Sequence, residues 1–78
     1  MRIDKFLKIA RVIKRRTIAN EAVDSKRVSV NGKIVKSSYD VKIGDIVEIA
    51  FGDSISKFEI IYIPTVIKKD MPELIKIL

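Results

Sequence analysis

Apolar residues fall at Ile3, Phe6, Leu7, Ala10 and Ile13 in the stretch RIDKFLKIARVI, the three-and-four spacing of one helical face. Asp4 stands where a carboxylate suits the first turn or cap of that helix. A second helix is predicted over TIANEAVDSK, where Ile18, Ala19, Ala22 and Val23 repeat the spacing and the Thr17 hydroxyl can cap the start. Its alanines let two helices approach closely, so the pair reads as an αα-hairpin with Arg15 and Arg16 at or near the connection. In RVSVNGKIV, Asn31-Gly32 suits the positive φ angles of a type I′ turn. A two-residue loop there pairs Val30 with Lys33 and Ser29 with Ile34, so neither face of the hairpin is purely apolar. SSYD and KIGD read as loop and turn. IVEIAF (46–51) and SKFEIIYI (56–63) read as strands joined through GDS at 52–54. Pro64 closes the last strand, and PELIKIL is expected to start a short C-terminal helix with Pro72 in its first turn.

These elements predict an α+β fold, a helical hairpin packed on a small antiparallel or mixed β-sheet with a short C-terminal tail. At 78 residues the chain is one small domain, and 47% apolar residues are enough for a core. Charges interrupt every apolar stretch, so neither a membrane span nor a signal-peptide core is expected. The absence of cysteine removes disulfides and thiolate metal sites, and there is no histidine. This composition fits a cytoplasmic protein. It also removes the usual general bases and nucleophiles. Asp40, Asp45 and Asp53 lie in turn sequences, where aspartate bonds the local backbone, and Gly32, Gly44 and Gly52 are isolated. Neither catalysis nor a metal or other cofactor is expected.

The charge distribution changes the picture more than the net +6 does. Residues 1–36 hold eleven Lys/Arg and three acids, whereas residues 37–78 hold five against seven. A surface serving solubility alone would mix the signs, so a basic half predicts an anionic partner. The cations form three groups: Arg2, Lys5, Lys8 and Arg11; then Lys14, Arg15 and Arg16; then Lys26 and Arg27 with Lys33 and Lys36. Phosphates favour such an array because their neutralisation releases counterions, and guanidinium groups can clamp phosphate oxygens in pairs. Lys26 and Arg27 could instead simply finish a helix. Phe6, Phe51, Phe58 and Tyr62 are expected in the core, leaving Tyr39 as the one candidate exposed ring. With so few stacking platforms, the expected target is structured RNA held through phosphates and shape. A basic amphipathic stretch such as FLKIARVIK could also lie on anionic lipid, although its apolar face is needed to cover the sheet.

The residues carry a resemblance. Arg2-Ile3-Asp4-Lys5-Phe6-Leu7, Lys14-Arg15-Arg16-Thr17, Val28-Ser29-Val30-Asn31-Gly32-Lys33 and Gly44-Asp45 resemble the alpha-L RNA-binding domain of the ribosomal protein S-four type. Residues 1–63 are then expected to form that domain and 64–78 a tail. Within the superfamily the chain is similar to stand-alone bacterial factors of ribosome-associated quality control, whose relatives include heat-shock-protein-fifteen-like proteins. The resemblance implies binding to ribosomal RNA of the large ribosomal subunit and to peptidyl-tRNA in the P-site. A partner tailing factor would then add alanine to the stalled nascent chain. It implies a monomer off the ribosome and no membrane partner. Carried over by position, the implied RNA contacts are Arg2, Lys5, Lys8, Arg11, Lys14, Arg15 and Arg16, with Asn31 and Lys33 at the hairpin. Asp4 is implied to orient neighbouring cations. Ser25-Lys26 departs from the pattern, since many relatives carry glycine before the first strand, which bears on that turn's geometry. Two alternatives stay open: rescue of dissociated large subunits still holding nascent chain-tRNA, and a non-RNA module binding protein or anionic lipid.

Overall fold

The computed structural model describes residues 1–68 and 70–78; Lys69, within the expected tail, lies outside the described residues. Helix α1 (Ile3–Ile9) stops before its apolar periodicity does. Arg11 takes a φ of 61°, and the Arg11 and Val12 N–H groups bond back to the Lys8 and Leu7 carbonyls, each at 3.0 Å. This is a Schellman ending, which satisfies carbonyls that the helix leaves unpaired. Ile13 is still buried, its N–H donating to the Leu7 carbonyl at 3.2 Å.

Helix α2 (Arg16–Asp24) ends the same way. Lys26 adopts a φ of 63°, and Lys26 and Arg27 donate to Val23 and Ala22 at 3.1 Å each. The turn that glycine favours therefore forms with lysine, against a left-handed penalty of about 1 kcal/mol. The cap expected from Thr17 does not form. The helix begins one residue earlier, with Arg15 as an extended N-cap and no side-chain cap bond, because arginine has no acceptor to offer.

All pairings in the sheet are antiparallel, in the order β2-β1-β3-β4-β5. Positive φ angles at Asn31 (52°) and Gly32 (83°) join β1 (Val28–Val30) to β2 (Lys33–Ile34). The register is the expected one, Val30 opposite Lys33 and Ser29 opposite Ile34. Strand β3 (Ile46–Phe51) has its expected limits. Strand β4 (Ser54–Ile60) starts and stops earlier than expected. Its start follows from a two-residue turn that pairs Phe51 with Ser54. Its end follows from the Ile61 and Tyr62 N–H groups, which both turn to the Leu74 carbonyl.

The expected C-terminal helix is corrected to a strand, β5 (Ile75–Ile77), on the outer edge of β4. Ile75-Lys76-Ile77 alternates with the period of a strand, and the edge of β4 offers its backbone groups antiparallel partners. Lys76 pairs opposite Glu59, and Leu78 donates to the Lys57 carbonyl at 3.0 Å. Leu74 joins the single core, where Ile3, Phe6, Leu7, Ala19 and Val23 of the helices meet Val28, Val47, Ile49, Phe58 and Ile60 of the sheet. Phe51 and Tyr62, both expected in that core, are 42% and 39% exposed. One sits beside the hairpin turn and the other beyond the end of β4, where the core no longer covers them.

Truncating Phe6, which is fully buried, to alanine is expected to destabilise the fold by about 3–5 kcal/mol. Lys26→Gly is expected to raise stability by about 1 kcal/mol, read as a higher urea midpoint at an unchanged slope.

Candidate nucleic-acid interface

Asp4 is charged by nature, yet it is only 1% exposed at the start of α1. Burying a carboxylate is unfavourable unless partners replace its water. Four do. Arg2 donates through Nε to Oδ1 at 3.2 Å and through Nη2 to Oδ2 at 3.1 Å. The Lys5 backbone N–H reaches Oδ1 at 2.8 Å, and the Asn20 amide reaches Oδ2 at 3.2 Å. Arg16 approaches Oδ1 through Nη2 at 3.6 Å. Burial pushes the Asp4 carboxyl up, but the bonds from Asn20, Arg2 and Lys5 and the charge of Arg16 outweigh it, holding the group below the usual carboxylate value.

The result is a cleft where the starts of the two helices converge, lined by Arg2, Asp4, Arg16, Thr17, Asn20 and Glu21. Both arginine side chains remain 48% exposed. A guanidinium has five N–H donors, so each keeps donors for an outside acceptor after serving Asp4. That acceptor must be anionic and oxygen-rich to match the pair. Asn20 was not singled out in the sequence; its signal was the four-residue spacing from Arg16, which puts both on one face of α2.

The other expected contacts divide. Lys5 and Lys8 are exposed on α1, and Arg11 is exposed at its left-handed end. Lys14 and Arg15 are exposed in the connection just before α2. None of these five makes an ion pair among the described residues. Asn31 and Lys33 lie on the hairpin, and no hydrogen bond or ion pair among the described residues joins them to the Asp4 cluster. The Asn31 side chain is internally engaged, donating to Asp45 Oδ1 at 3.1 Å and accepting from the Ile46 N–H at 3.0 Å. Lys33 is exposed.

Tyr39 is not the free ring expected from its polar surroundings. It is half-buried, and its hydroxyl donates to Asp45 Oδ2 at 2.8 Å. Burial and that bond push its hydroxyl pKa up. Asp45, buried in turn, also accepts the Lys42 N–H at 3.0 Å. Among the described residues no cluster of acidic side chains could hold a metal ion, and no helix is long and apolar enough to cross a membrane.

Fold and site together define a small α+β module whose helical region carries a preset arginine pair beside exposed cations that make no ion pair among the described residues. The S4 domain family matches residues 1–47, and the chain belongs to that family. It is 46% identical to the RQC P-site tRNA stabilizing factor of Streptococcus pneumoniae, over 90% of this chain and 80% of that protein. It is 44% identical to the factor of the same name from Bacillus subtilis, over 90% and 81%. Among solved structures, the trimeric heat shock protein 15 of Vibrio cholerae superposes with a TM-score of 0.87 at 28% identity. That match covers all of this chain and 81% of the other.

The depressed carboxyl of Asp4 sets a pH dependence. Its stabilisation is fully present above the unfolded-state carboxylate value and is lost as pH falls through the lower folded value. Asp4→Asn is expected to lose about 1–3 kcal/mol at pH 7. That deficit should hold down to about pH 5 and shrink below about pH 4. Urea unfolding of both proteins from pH 7 to pH 3 measures it; parallel stability curves throughout would show that the charge of Asp4 is not the source.

Proposed function

We propose that this protein is a non-catalytic, cytoplasmic RNA-binding factor of ribosome-associated quality control, holding peptidyl-tRNA in the P-site of the large ribosomal subunit. The observation that carries the reading is the Arg2–Asp4–Arg16 cluster, in which a buried carboxylate fixes two half-exposed guanidinium groups on a cationic helical face. Such a surface is complementary to RNA phosphates whatever the sequence. The two relatives named as RQC P-site tRNA stabilizing factors support the RNA class and the process. In the finer form of the proposal, the factor touches both ribosomal RNA and tRNA. It thereby steadies the tRNA while a partner adds alanine to the nascent chain, and it is a monomer off the ribosome. Its contribution is positional, because a held tRNA needs no bond made or broken by the holder.

The likeness to heat shock protein 15 favours a second reading, rescue of dissociated large subunits that still carry nascent chain-tRNA. The two separate by whether alanine tailing of stalled chains fails when the factor is removed.

Arg2 and Arg16 are poor probes of RNA contact, since replacing either also strips a partner from buried Asp4. Lys14 and Arg15 have no ion-pair partner among the described residues and give a cleaner test. The Lys14→Ala/Arg15→Ala variant is expected to keep its thermal midpoint and to bind large subunits more weakly. Its salt slope, log K against log salt, should be shallower by about 2. Unchanged subunit binding, or association with anionic vesicles in place of RNA, would refute the reading.

A further inference from the structure

The described residues from Ile63 to Lys68 and from Asp70 to Leu74 form a loop tied at its base, where the Ile61 and Tyr62 N–H groups donate to the Leu74 carbonyl at 2.9 and 3.3 Å. It borders the C-terminal end of α1, and an open cleft lies between them. Lys8 and Arg11 on the helix side and Lys68 on the loop side line this cleft, against one carboxylate, Glu73. Met71 and Leu74 form part of its apolar floor. The three cations are exposed, and none forms an ion pair among the described residues.

Arg11 owes its place beside the cleft to the way α1 ends. Its φ of 61° is the left-handed conformation that glycine adopts without strain. Helix-end electrostatics does not require an arginine there, because Lys8 already supplies a cation in the last turn of α1. Lys26 takes the same left-handed conformation at the end of α2, so the conformation belongs to the fold; what Arg11 adds is a long cationic side chain that lines the cleft and makes no ion pair among the described residues.

The Asp4 cleft lies at the other end of α1, separated by a helix on the order of 10 Å long. We propose that the cleft between the end of α1 and the 63–74 loop is a second RNA site. There Lys8, Arg11 and Lys68 hold the phosphate backbone of a segment different from the one at Asp4. The inference rests on the RNA-binding role above and deepens it, giving one small domain two grips with which to bridge ribosomal RNA and tRNA. Three cations around a partly apolar floor suit a phosphodiester chain, whose sugar edge is less hydrated than its phosphates.

The test uses the full chain with two probes measured separately, deacylated tRNA and purified large ribosomal subunits. Arg11→Gly/Lys68→Glu is the variant; glycine suits the backbone at position 11, so the thermal midpoint should be unchanged or higher. It is expected to lose affinity for one probe by tenfold or more while keeping the other within about twofold, with Lys14→Ala/Arg15→Ala showing the opposite preference. Unchanged affinity of the Arg11/Lys68 variant for both probes would overturn the second site. So would equal losses for both probes in both variants, which would indicate one continuous surface. If the unaltered protein binds neither probe, the RNA role itself fails, an outcome distinct from these.

Discussion

A carboxylate withdrawn from water at the start of α1 constrains the rest of the helical region. Asp4 must find hydrogen-bond donors, and its own turn supplies only the Lys5 N–H and the neighbouring Arg2. The remaining donors come from α2, so Asn20 and Arg16 are drawn to the same spot. The cluster therefore fixes how one helix start sits beside the other. Its energetic value is not large in itself, because a buried ion pair spends much of its attraction on desolvation. Its specificity is greater: an apolar residue at position 4 would pack, but would not hold two guanidinium planes in place. An arginine already ordered by Asp4 loses less side-chain entropy when it meets a phosphate.

A second acid plays a comparable part at the sheet. Asp45 accepts from Asn31 in the hairpin turn, from the Tyr39 hydroxyl in the preceding loop and from the Lys42 N–H. The Ser37 N–H is within 3.4 Å of the Asp24 carboxylate, and the Ile3 N–H donates to the Tyr39 carbonyl at 2.8 Å. The loop from 35 to 41 is thus tied to both helices and to the start of β3. Asp4, Asp24 and Asp45 lie at such joints, while Lys5, Lys8, Arg11, Lys14 and Arg15 stand exposed without an ion pair among the described residues. That division explains why the net charge is carried by a surface and not spread through the fold.

Local chemistry was readable in the sequence and non-local pairing was not. Asn31-Gly32 announced the hairpin and its register because both turn residues must take positive φ, a property of those two residues alone. The core positions Ile3, Phe6, Leu7, Ala19, Ala22 and Val23 followed from spacing, whereas Ile18, placed on the same apolar face of α2, is exposed because that edge of the helix turns away from the sheet and α1. The C-terminal strand was missed because Leu74-Ile75-Lys76-Ile77 gains its structure only from the open edge of β4. Thr17 was a sound cap candidate, but α2 begins at Arg16, with the extended Arg15 as its N-cap. At Tyr39 a polar neighbourhood suggested exposure, whereas its hydroxyl is held by Asp45, six residues on, which also binds the Asn31 amide. Much of the candidate site was legible as a list of cations. Their division into an ordered pair at Asp4, free lysines and a cleft beside the 63–74 loop depended on the tertiary fold.

The left-handed turn at Arg11 and the arginine pair at Asp4 are two consequences of one geometry. The apolar spacing of the first helix continues to Ile13, and a helix could have followed it that far. Each added residue would carry the chain about 1.5 Å further from Asp4 while leaving one residue fewer for the return. With α1 continuing to Ile13, only Lys14 and Arg15 would remain to bring Arg16 back, too short a path for an extended chain at roughly 3.5 Å per residue. Ending α1 at Ile9 leaves six residues, enough to run back along the helix while still burying Ile13. The strain at Arg11 is therefore the local expense of a short α1, and a short α1 is what lets a cation from the second helix meet a carboxylate at the start of the first.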